Sequence, residues 1–141
     1  MIGHFADLNQ THSIGGMSDH SVNGDMVSTG VKNAFSQDIA RTDGTHEWVV
    51  QNAQGGHDVY HGSTLFEKTI PTGHGSHGVY DSQMQLKATI HPNMQHGHDV
   101  LHGGTLIESS MPLGHGASTV MHYSDPLIHL SEYSMTKLVL G

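Results

Sequence analysis

The sequence predicts an all-β domain, sandwich- or barrel-like, in which short strands are joined by glycine-rich turns. Three observations carry that expectation. Only 35% of the 141 residues are hydrophobic while 18 are Gly, a balance that favours many turns over long helices. From Tyr80 to Ile90 the even positions Tyr80, Met84, Leu86, Ala88 and Ile90 are apolar or small and the odd positions are polar. Alternation at period two is the mark of a half-buried strand. Finally, residues 56–75 return 41 residues later as 97–116, with thirteen identities in twenty positions.

Taken in order, Val31 to Arg41 fits a helix through Val31, Ala34, Phe35 and Ile39, although its odd positions also fit a strand. Glu47-Trp48-Val49-Val50 reads as a strand. Thr64 to Ile70 and its copy Thr105 to Met111 read as two more. Each is closed by Pro-x-Gly-His-Gly, at Pro71 to Gly75 and Pro112 to Gly116, where Pro sets φ and Gly permits positive φ. Tyr80 to Ile90 is expected as one long strand. The tail, Met135 to Leu140, reads as a late, buried strand. The whole is one β-rich domain, 1–141, divided into an N-terminal part (1–54), a first repeat (55–95) and a second (96–141). Gly24-Asp25-Met26-Val27 stands as a degenerate earlier unit. Repeats of this length are usually supersecondary pieces that need a neighbour to bury their apolar face.

Charge narrows the function. The formal net charge is −8 with five Lys and Arg, which excludes a phosphate-neutralising surface and hence nucleic acid as a partner. No apolar run is long enough for a membrane-spanning helix. No signal peptide is visible at Met1 to Asp7, and the absence of Cys removes thiolate chemistry. Localisation stays open, a virion or an extracellular assembly included. The fifteen His would move the chain from −8 to +7 on full protonation, below about pH 6.5 for unperturbed imidazole.

The histidines supply the candidate metal site: His57, Asp58, His61 and His74 in the first repeat, with His98, Asp99, His102 and His115 matching them, and His96 beside. Two His four apart suit a zinc helix of H-E-x-x-H type, but flanking glycines are poor helix context and Asp stands in place of the Glu base. On a strand His57 and His61 share a face about 13 Å apart, too far to chelate one ion alone. His96-Gly97-His98 resembles the H-x-H sites inside trimeric phage tail fibres, which implies metal held between chains. Gly97 to Gly104 is similar to the calcium nonapeptide of secreted RTX proteins, but that family repeats it every nine residues and here the copies are 41 apart. Imidazole with carboxylate suits Zn, Ni, Cu or Fe, and Asp58 and Asp99 are placed to orient the imidazoles. No nucleophile elbow or phosphate loop is present, so no catalytic residue is assigned. The expected function is a structural, self-assembling subunit of a virion, fibre or surface appendage, a homo-oligomer with its core finished between chains and with metal-binding or pH-sensitive contacts. The alternative is a small metal-binding module or metal-dependent enzyme.

Overall fold

Short strands dominate the chain because glycine-bearing turns interrupt it every five to ten residues. A computed structural model describes residues 5–123 and 130–141. The strands are β1 (Phe5–Ile14), β2 (Met17–Val22), β3 (Asp25–Lys32), β4 (Ser36–Arg41), β5 (His46–Gln51) and β6 (His57–His61). They continue as β7 (Thr64–Gly73), β8 (Ser76–Asp81), β9 (Leu86–Pro92), β10 (His98–His102), β11 (Thr105–Gly114) and β12 (Ala117–His122). Each pairs antiparallel with its sequence neighbours, and β1 pairs with β12 to close a barrel. Closure leaves no strand edge among the described residues, so every strand finds its ladder within the chain.

The all-β expectation holds in its barrel form. The duplicated segments form equivalent hairpins, β6–β7 and β10–β11, four strands apart. Each carries a β-bulge at the same place, after Val59 and after Val100. The β2–β3 hairpin, four strands earlier again, is bulged after His20. Close backbone approach explains the glycine retained in both copies. A Cβ on Gly56 would lie 1.8 Å from the Thr69 carbonyl oxygen, and one on Gly97 1.9 Å from that of Ser110.

Three local expectations are corrected. Tyr80 to Ile90 is two strands, because the Asp81 carboxylate accepts from the Gln83 and Gln85 N–H groups (2.9 and 3.0 Å) and folds a turn. Val31 to Arg41 is the end of β3, a turn and β4, with no helix. The tail is a helix, not a strand: Ser134–Val139 forms a π-helix, with Leu140 N–H bonded to the Met135 carbonyl at 2.9 Å. A closed barrel offers the tail no edge to join, so the segment satisfies its backbone internally.

That C-terminal helix occupies the barrel interior. Leu138 and Val139 pack with Val79, Ala88, Ile90 and Val100, and Tyr133 packs with Ile39, Val49 and Val59. Burying side chains of this size contributes about 1.5–3 kcal/mol each. The interior is thus completed within the chain, which removes the reason the composition gave for finishing a core between chains. The turns divide into two rims. The far rim holds the odd-numbered turns, from β1–β2 to β11–β12, and the mouth rim holds those from β2–β3 to β10–β11.

Candidate functional site

Glutamates on inward-facing strand positions seat the helix. A helix start leaves its first N–H groups without intrahelical partners, and here barrel carboxylates accept from them. Glu47 takes the Glu132 and Tyr133 N–H groups at 3.0 and 3.1 Å. Glu67 takes the Ser131 N–H at 3.0 Å and the Ser131 and Ser134 hydroxyls, and is paired with Lys87 at 2.9 Å. Glu132, on the helical segment, is bonded by His20 and by the Ser28 hydroxyl, the latter at 2.7 Å. Carboxylates near helix N-termini are favoured by the helix dipole. Burying them is tolerable only because each is hydrogen-bonded.

Below the helix start, at the mouth rim, lies a cavity of about 680 Å³. Its apolar wall comprises Val22, Val27, Phe66, Ile107, Leu130 and Met135. On one side stands a polar cluster, with His122 between two carboxylates: Nε2 is 2.8 Å from Asp7 and Nδ1 2.7 Å from Glu108. Burial pushes the Glu108 carboxyl above its ordinary value, although His122 opposes the shift. Burial acts upward on Asp7 as well, but hydrogen bonds from Asn23 and His122 outweigh it and hold that carboxyl low. Such an arrangement can hold a proton at either imidazole nitrogen or on Glu108. Arg41 and Thr45 line another part of the wall. Arg41 Nη1 lies 3.4 Å from Asp43, whereas its buried Nε has no hydrogen-bond partner in the protein.

The residues singled out from sequence scatter around the barrel. His57 and His98 face inward and touch the C-terminal helix: the Tyr133 hydroxyl is 2.8 Å from His57 Nδ1, and the Val139 carbonyl 3.2 Å from His98 Nδ1. His61 bonds Glu47 at 3.0 Å and lines the cavity, while its counterpart His102 bonds the Lys87 carbonyl at 2.8 Å. His74, His96 and His115 sit exposed in far-rim turns with positive φ. Asp58 and Asp99 do not orient imidazoles. Each accepts from a turn asparagine, Asn52 at 3.1 Å and Asn93 at 3.0 Å, which in turn caps the N–H of Gly56 or Gly97. Among the described residues no three His, Asp or Glu gather into a group that could hold a metal ion.

The site residues that sequence reasoning passed over are Asp7, Arg41, Glu47, Glu67, Glu108 and His122. Two carried a signal, since Glu67 and Glu108 are matched in the duplication. Glu47 carried another: it shares the inward strand face of Val49, where a carboxylate is out of place without a partner.

No protein-family model and no curated protein matches the chain. Among solved structures, the barrel is similar to a crystal structure of a protein from Arabidopsis thaliana. The two share 11% identity, with a TM-score of 0.65, over 86% of this chain and 83% of that one. At that identity the likeness concerns the fold alone.

Proposed function

We propose that this protein is a ligand-binding barrel whose ligand occupies the mouth cavity. The observation that carries the reading is the Arg41 Nε–H. Among the described residues only two buried side-chain polar atoms lack a hydrogen-bond partner, Asp38 Oδ1 and Arg41 Nε. Asp38 Oδ1 has the His46 imidazole 2.7 Å away, which leaves Arg41 as the donor without a counterpart. An unmet buried donor costs about 1–3 kcal/mol, and a turn of the Arg41 side chain toward the cavity it lines would let an oxygen acceptor on a bound molecule recover it. The cavity volume falls within the roughly 300–1,000 Å³ usual for small-molecule sites, which pair apolar walls with a few placed polar groups. The ligand class that fits has a carboxylate-like head for Arg41, a short apolar body for Phe66, Ile107 and Leu130, and a donor group for Asp7 and Glu108.

The test compares octanoate, ω-aminooctanoate and octylamine by thermal shift, because a ligand binding only the folded state raises Tm. The zwitterion should raise Tm most, octylamine least, and Arg41→Gln should abolish the response to both carboxylates. A flat response to all three probes at millimolar concentration would sink the reading.

A further inference from the structure

The two rims of the barrel differ in a way that the cavity does not use. At the far rim Ile14, at the end of β1, and Phe35 and Met94, in turns, project into solvent, at 83%, 77% and 94% exposure. No Asp or Glu occurs in any of the six far-rim turns. Lys32, at the end of β3, and Lys137, on the exposed side of the C-terminal helix, stand there without an ion-pair partner among the described residues. His74, His96 and His115 add imidazole donors to the same rim. The mouth rim is more acidic. Asp43 lies in its β4–β5 turn, Asp25 opens β3 and Asp81 ends β8, and the cations of this end, Arg41 and Lys87, are already engaged by Asp43 and Glu67. Met26, Met84 and Leu86 are exposed there beside the acids, each about half open to solvent at 47%, 49% and 53%.

We propose that the far rim of one molecule docks on the mouth rim of a second copy, so that the barrels stack head to tail. Charge complementarity selects this partner: a rim where Lys32 and Lys137 have no ion-pair partner among the described residues meets a rim where Asp25 and Asp81 stand in excess of the Arg41–Asp43 pair. Apolar side chains lie on both rims to be covered, and exposed clusters of this kind mark contact sites. Strand addition at the sides is closed off, since a closed sheet has no edge. A contact between two different faces of one molecule does not close on itself unless a rotation makes a ring, so the product is an open column. Each copy in the column caps the mouth cavity of the next. This proposal does not depend on what the cavity binds.

Sedimentation velocity over a concentration series, with two double variants, tests it. Phe35→Ser with Met94→Ser removes the far-rim contact, and Asp25→Lys with Asp43→Asn removes the mouth-rim contact while keeping a turn acceptor at 43. These sites are exposed, and cooperative melting with an unchanged far-UV circular dichroism spectrum will show that both variants fold. The wild-type chain should form a growing series of species, and each variant alone should stay monomeric, its dissociation constant raised about tenfold or more. Mixed in equal amounts, the variants should form dimers and nothing larger, because each retains one intact face. Assembly of the mouth-rim variant like wild type would overturn the proposal in favour of far-rim self-pairing. A wild-type chain that stays monomeric yet sediments with anionic phosphatidylserine vesicles would overturn it too, assigning the far rim to a lipid surface.

Discussion

The same residue type serves different ends at matched positions, and contact decides which. Gly56 and Gly97 are fixed by crowding, with a carbonyl oxygen where a Cβ would sit. Gly97→Ala should therefore lose about 3 kcal/mol or more, in the range of severe overpacking, read as a lowered urea midpoint. The neighbouring histidines of the turns behave oppositely. His115 holds φ at 54° and is exposed, and the left-handed region costs a non-glycine residue about 1–2 kcal/mol. His115→Gly should leave stability unchanged or raise it by up to about 1 kcal/mol. A clear loss of stability would mean that the imidazole makes a contact of its own.

At the scale of elements, the C-terminal helix and the barrel are one unit held by acids. Glu47 takes three hydrogen bonds, two of them from the start of the helix. Glu47→Gln keeps the shape but puts an amide where a charged acceptor stood, with a donor facing the helix N-terminus. The expected cost is about 1–3 kcal/mol, with the C-terminal segment cut sooner in limited proteolysis. The contacts the repeated histidines make within the chain were not legible at this scale, for a physical reason. His57 and His98 are recognisable as a repeated pair, but their partners Tyr133 and Val139 lie 76 and 41 residues away in sequence. Nothing local in either repeat indicates that a helix will pass through the barrel.

For the whole molecule, stability should bend with pH in three places. Burial, together with Lys32 and His77, holds the His57 imidazole below its ordinary value of 6.5. Burial with His98 nearby does the same at His77. A lowered base favours the neutral form in the folded state, so stability is present above pH 6.5 and is lost as pH falls through it. His57→Gln should flatten that part of the curve. Glu108 works in reverse: raised by burial above 4.5, it favours the protonated folded state, so its contribution grows as pH falls and is lost as pH rises through the folded value. Tyr133, pushed up to about 12 chiefly by burial, should cost stability as pH climbs from 10, where the unfolded phenol ionises. Urea titrations at stepped pH read all three. Removing residues 130–141 should abolish cooperative melting altogether, because Glu47 and Glu67 would lose partners and the core would lose Tyr133, Leu138 and Val139.

The strand-and-turn character of this protein follows from its sequence alone, since period-two patterning, glycine turns and the 41-residue duplication are local and repeat the same hairpin chemistry. Strands β7 and β11 and the connections that close them onto β8 and β12 were legible for that reason, down to Pro71, Gly73, Pro112 and Gly114. Tertiary structure alone decided what depends on closure. Once β1 pairs with β12 the tail has no edge to extend, so an apolar run that reads as a strand becomes a helix inside the barrel. The cavity has the same origin. His122 meets Asp7 across 115 residues of chain, a juxtaposition made by joining the first strand to the last, and no spacing in the sequence encodes it.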